Sequence, residues 1–277
     1  MILTLNRGFA ALAAASLLVA SASAASAQTA PAQATPAPAA QAGCSDDQRH
    51  NATREQAEFT SGGRTIRGLI YKPRTSNGAG VVLLHGFRGL DDDAHAFDPH
   101  AIQLATRGYT VLVPNIFDAR PYRARRNGLD MNTWAAMGAD AVRHVGTIAG
   151  VDPQKVGLWG YSLGGFLATD GSVSPDAPAA VAVGVSAGTD IWSEPTRGHR
   201  AMPILLIHGR ADPSVTPSSM RSLATNLRLR GATVEVQMIE SSQHVLEGPI
   251  WCEVFQHTRR FLDANLLPAS AATSPAE

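Results

Sequence analysis

The sequence is poor in several things, and each shortage excludes a class of protein. Only two cysteines, Cys44 and Cys252, occur in 277 residues. That is too few for a disulfide-stapled scaffold or a thiolate cluster holding zinc or iron–sulfur. Neither sign of charge is in excess: 23 Lys+Arg face 23 Asp+Glu, and Lys occurs only at Lys72 and Lys155. Balanced charge speaks against a nucleic-acid groove or a polybasic membrane surface, both of which need surplus cations. Beyond the N-terminal region no segment approaches about 18 consecutive apolar residues, so no membrane-spanning helix is expected in the body. There is no internal repeat and no glycine-rich dinucleotide fingerprint. The 44% of hydrophobic residues is enough for a substantial core.

The chain divides by composition. Residues 1–27 read as a cleavable secretory signal: Arg7, an apolar stretch from Phe9 to Ala20, then Ala25-Ser26-Ala27 before Gln28. Export to the periplasm or the medium is therefore expected. Residues 28–54 read as a linker, because the Pro/Ala/Gln/Thr-rich stretch to about Ala42 lacks the large apolar residues that offset ordering entropy. The tail 268–277 has the same character. Residues 55–267 form one expected catalytic-size domain. In an oxidising compartment Cys44 and Cys252 can pair; two free cysteines are the alternative.

Within the body, strands alternate with helices. Thr65 to Tyr71 alternates as an antiparallel edge hairpin does. Continuous apolar runs at Val81–Leu84, Tyr109–Val113, Val156–Trp159, Ala180–Val185, Ile204–Ile207 and Val234–Ile239 suit parallel strands buried on both faces. Helical stretches lie at 94–107, 133–149, 163–169, 218–230 and 247–265. In the fourth, Met220, Leu223, Ala224 and Leu227 mark one apolar face, with Pro217 ahead and Gly231 behind. The pattern predicts an α/β fold, a mostly parallel sheet with helices on both faces.

Chemistry is expected where strands end. Gly160-Tyr161-Ser162-Leu163-Gly164-Gly165 follows the run Val156–Trp159 directly. A G-x-S-x-G between strand and helix forces a tight reversal that exposes the serine hydroxyl and points the next N–H, that of Leu163, at a developing oxyanion. Serine needs a base, and the partners should follow in the order acid, then histidine. Asp212, after the run Ile204–Ile207, and His244, after Val234–Ile239, meet that order. Asp190 is an alternative acid, His208 a support for the acid's loop, and His257 a residue of the last helix. His85-Gly86-Phe87-Arg88-Gly89 follows the first parallel strand, and the N–H of Phe87 is the expected second oxyanion donor, with His85 bracing the loop. Candidate substrate contacts are Arg88, Tyr161, Trp192, and the arginines Arg120 and Arg123 of a basic loop, set against a bland reading of that loop as solvated surface. Asp91, Asp92, Asp93, His95, Asp98 and His100 match no established metal spacing and read as helix-start acids and solvated residues. No metal and no cofactor are required.

These motifs resemble the α/β-hydrolase superfamily, and within it the dienelactone-hydrolase-like branch, over about residues 67–266. The resemblance implies an α/β-hydrolase fold without a large cap domain, since only a short segment separates Ser186 from Pro203. It implies a Ser162–His244–Asp212 triad acting on a small-molecule ester or lactone. Members of the branch usually carry Cys where this chain has Ser162, which shifts the expectation toward a serine esterase. A prolyl-oligopeptidase-like peptidase or an acyltransferase with the same triad, and a non-catalytic binding protein on this fold, are the alternatives.

Overall fold

The computed structural model describes residues 52–122, 128–189 and 198–268. The expected signal, most of the linker, residues 269–277 of the tail and Cys44 lie outside the described residues.

The chain enters through an antiparallel hairpin, β1 (Ala52–Ser61) and β2 (Arg64–Pro73), turned at Gly62-Gly63. β1 takes in Ala52, Thr53 and Arg54, three residues that composition leaves in the linker. The remaining strands are β3 (Gly78–Leu84), β4 (Thr110–Pro114), β5 (Val151–Tyr161), β6 (Val181–Val185), β7 (Pro203–Gly209) and β8 (Thr233–Ile239). The helices are α1 (Leu90–Thr106), α2 (Ile116–Ala119), α3 (Gly128–Gly146), α4 (Leu163–Ser172), α5 (Pro217–Leu229) and α6 (Gly248–Leu266). One sheet runs β1-β2-β4-β3-β5-β6-β7-β8. β2 pairs antiparallel with β4, and every pair from β4 to β8 is parallel.

The continuous apolar runs are explained by the two faces of this sheet. Val82, Leu84 and Leu112 pack on one side with Trp134, Met137, Leu167 and Leu223, that is, against α3, α4 and α5. Val81, Leu83, Val111 and Val113 pack on the other with Phe97, Leu104, Trp251 and Leu262 of α1 and α6. A strand covered twice has no solvent face on which to place polar residues. β8 lies at the edge and is less buried; Arg228 Nη2 donates to the Val234 carbonyl at 2.9 Å and Gln237 Nε2 to that of Met238 at 3.3 Å, which blunts the open edge. Cys252, on α6, is disulfide-bonded.

The sequence reading misses α2, four residues capped by Asn115, whose side chain accepts the Phe117 N–H at 3.1 Å. One turn is too short to carry a periodicity. Among the described residues no helix is long and apolar enough to cross a membrane.

Candidate active site

The Gly160–Gly165 turn, the His85–Gly89 loop, Asp212 and His244 lie at the carboxyl ends of the parallel strands. Ser162 sits between β5 and α4 with φ 52° and ψ −113°, a left-handed conformation that is strained for a residue with a Cβ. The surroundings hold it there: its N–H donates to the Val185 carbonyl at 2.8 Å, and its own carbonyl accepts the Phe166 N–H at 3.0 Å. The flanking glycines are required by close approach. A Cβ on Gly160 would overlap the main chain of Gly164, and one on Gly164 would overlap the carbonyl of Leu84. α4 therefore begins directly against the end of β3.

Ser162 Oγ is 2.9 Å from His244 Nε2, and His244 Nδ1 is 2.7 Å from Asp212 Oδ2. With Nδ1–H donated to the carboxylate, Nε2 is left to accept the serine proton. The other oxygen of Asp212 accepts N–H bonds from Ser214 at 2.8 Å and Val215 at 2.9 Å. Burial pushes the Asp212 carboxyl upward, but the bond to His244 and those two N–H groups outweigh it and hold it below the usual carboxylate range. His208 is fully buried beneath this loop and meets the Val215 carbonyl through Nε2 at 2.9 Å, the supporting place expected of it. Asp190 lies outside the described residues. His257 lies on α6, 2.9 Å from Arg260.

The loop after β3 is braced from both sides. His85 is fully buried, its Nδ1 2.7 Å from the Gly86 carbonyl and its Nε2 accepting the Ile116 N–H at 2.9 Å. Burial lowers its pKa to about 4, opposed only in part by the Gly86 carbonyl, so the ring is neutral with the proton on Nδ1. The Leu163 N–H is the first of α4, where helical N–H groups have no intrahelical partner. Phe87, on the loop, is 44% exposed and faces Tyr122, their rings 6.4 Å apart.

Several expected substrate contacts are placed otherwise. Tyr161 is not a pocket wall: it is buried, its hydroxyl donates to the His244 carbonyl at 2.5 Å, and its ring stacks on the His244 imidazole at 5.6 Å. Arg120 is not a free clamp. Its Nε pairs with Asp130, which is only 1% exposed, while its carbonyl accepts Trp134 Nε1–H at 2.8 Å. Arg88 is exposed, its Nε 3.4 Å from Asp92 Oδ2 four residues on. Arg123 and Trp192 lie outside the described residues. The helix-start acids also divide: Asp93 is buried and accepts the Gly86 N–H at 2.6 Å, so capping and solvation do not describe it. Asp98 takes Arg54 at 2.6 Å and the Tyr71 hydroxyl at 2.8 Å, and His100 stacks on Phe255 at 4.1 Å.

Residues 66–247 match the model of the dienelactone hydrolase family. A polyketide transferase of Stachybotrys chlorohalonatus is 30% identical over 151 residues, which are 52% of this chain and 48% of that protein. A thiohydrolase of Aspergillus aculeatus is 31% identical over 121 residues, 42% of this chain and 36% of its own length. The chain thus spans half or less of these two relatives. Among solved structures, the butyrate-bound thermophilic esterase Est2 of Thermogutta terrifontis superposes with a TM-score of 0.63 at 19% identity, covering 81% of this chain and 98% of that one.

Proposed function

The chain is a member of the dienelactone hydrolase family, and from that membership we propose an exported serine hydrolase that cleaves carboxylic ester or lactone bonds through an acyl-enzyme. The observation that carries the reading is the unbroken relay Ser162 Oγ, His244, Asp212, with contacts of 2.9 and 2.7 Å.

In the first half-reaction Ser162 Oγ attacks the substrate carbonyl carbon while its proton passes to His244 Nε2. The imidazolium so formed faces Asp212 across Nδ1. The carbonyl oxygen, now negative, is received by the N–H groups of Leu163 and Phe87. Collapse of the adduct breaks the bond to the leaving oxygen, which takes the proton from Nε2 and departs as an alcohol, or stays tethered as a hydroxyl where the substrate is a lactone. In the second half-reaction water attacks the acyl carbon, gives a proton to Nε2, and the proton returns to Ser162 Oγ as the acid leaves. Cleavage after Ala27 then leaves the Pro/Ala-rich stretch as the N-terminal arm of the mature hydrolase, in the periplasm or the medium.

The names of the two curated relatives favour a second reading, in which the same acyl-enzyme is formed from a thioester or is passed to an acceptor other than water. A panel of short p-nitrophenyl esters, lactones, acyl thioesters and peptides, run on wild type and Ser162→Ala with a fluorophosphonate label, tests both. Ester or lactone turnover that is lost in Ser162→Ala and blocked by the label supports the proposal. Failure of the folded wild type to label at Ser162 overturns it. Cleavage of amides but not esters shifts the assignment to a peptidase.

A further inference from the structure

Asp93 is a buried carboxylate for which the proposed reaction has no use. It stands in the first turn of α1 but does not cap it: the N-cap is Gly89, which makes no side-chain cap hydrogen bond. Its Oδ2 accepts the main-chain N–H of Gly86 at 2.6 Å instead. The face of Gly86 where a Cβ would project lies 3.1 Å from that oxygen and 3.2 Å from the Tyr161 ring. Carboxylate, loop and the aromatic that carries His244 are therefore packed together. The next peptide unit is held as well, because the Gly86 carbonyl meets His85 Nδ1 at 2.7 Å and accepts the Gly89 N–H at 3.2 Å. In a planar trans peptide the N–H points opposite to the carbonyl. Fixing the Gly86 carbonyl toward His85 and Gly89 thus aims the Phe87 N–H the other way.

We propose that Asp93 is a positioning residue for the oxyanion loop, locking the peptide before Gly86 so that the Phe87 N–H is preset toward the reacting carbonyl. The assignment rests on the serine-hydrolase reading above. Burying a carboxylate is costly, and burial raises the Asp93 pKa against the opposing Gly86 N–H and Arg88. A residue needed only to favour a helix start is served without that cost from solvent, as Asp91 and Asp92 are.

The test compares wild type, Ser162→Ala, Asp93→Ala and Asp93→Asn, where Asn keeps an acceptor oxygen without the charge. Five quantities are read: kcat and KM on p-nitrophenyl acetate, affinity for a trifluoromethyl ketone, thermal midpoint, and hydrogen exchange at the Gly86 amide. Losing an oxyanion donor outright costs about 10²–10³ in kcat, so a loosened one in Asp93→Ala is expected to cost about 10–100-fold with KM within about twofold. Ketone affinity should fall in parallel with kcat/KM, Gly86 exchange should quicken, and Asp93→Asn should keep kcat within about fivefold of wild type. Unchanged kcat in Asp93→Ala, a rise in KM alone, or equal damage in Asn and Ala overturns the proposal. Should Asp93→Ala fail to fold, Asp93→Ser, whose hydroxyl falls short of the Gly86 N–H, takes its place under the same criteria. Ester turnover that survives Ser162→Ala defeats the underlying hydrolase reading instead, and does so whatever the Gly86 exchange shows.

Discussion

The Tyr161 hydroxyl donates a 2.5 Å hydrogen bond to the main-chain carbonyl of His244, while its ring stacks on the imidazole of the same residue. The residue preceding the proposed nucleophile in sequence thereby holds the proposed base in space, joining the end of β5 to the loop after β8. Burial raises the phenol pKa, followed by the charges of Asp93 and Asp212, so the group stays a neutral donor throughout the working range.

Tyr161→Phe isolates the hydrogen bond from the stacking. The ring keeps its place, and the His244 carbonyl loses a buried donor, at a cost of about 1–3 kcal/mol in stability. A base free to shift should also lower kcat by about tenfold, the equivalent of about 1.4 kcal/mol in the barrier. Urea unfolding and steady-state kinetics on a short ester read the two effects separately.

Nothing in the string Gly160-Tyr161-Ser162 announces this role. A tyrosine beside a serine is as good a pocket wall as a brace, and the choice depends on which long-range partner the fold supplies. His244 lies 83 positions away. Asp93 and Gly86 are only seven apart, and their contact is hidden for another reason: a first-turn acid carries no sign of whether it faces solvent, as Asp91 does, or the preceding loop. Ser162, Asp212 and His244 were legible for the opposite reason: each follows an apolar run, and runs covered on both faces by helices carry a strong signal. The pairing of Arg120 was not legible, because a cluster of arginines looks the same in sequence whether it meets solvent, a substrate or a buried Asp130.

The tight turn leaves no space at residue 160. A methyl group there would overlap the main chain of Gly164, and backbone on backbone has no rotamer through which to yield. Gly160→Ala should give protein that either fails to fold or folds without fluorophosphonate labelling at Ser162. Circular dichroism alongside labelling distinguishes the two, and a fully active variant would show that the reversal at Ser162 is looser than its φ of 52° implies.

Arg120 separates a structural ion pair from a substrate clamp. Its partner Asp130 is buried in α3, so Arg120→Ala weakens the pairing of a buried carboxylate and should destabilise the fold by about 3 kcal/mol. KM for acidic and neutral esters should move equally little. A KM that rises only for acidic esters, with an unchanged thermal midpoint, would return Arg120 to the substrate.

Stability should fall as the solution is acidified from pH 7 to pH 4, with His85 and His100 as the main causes. Burial depresses both to about 4, while an unfolded histidine titrates near 6.5. Between those values the unfolded chain binds protons that the folded chain refuses. The stability from the neutral rings is thus fully present above about 6.5 and is lost as pH falls toward 4. Asp212, held low, adds its loss below about 4, and Asp93, held high, acts in the opposite sense. His100 allows a clean test, because its buried Nδ1 has no hydrogen-bond partner among the described residues and its ring stacks almost parallel on Phe255, at 8°. His100→Phe preserves the stack and removes the titration. From pH 7 to pH 5 wild type should lose about 2 kcal/mol more than this variant in urea unfolding. Equal losses in the two proteins would place the acid sensitivity elsewhere, with His85 the next ring to replace.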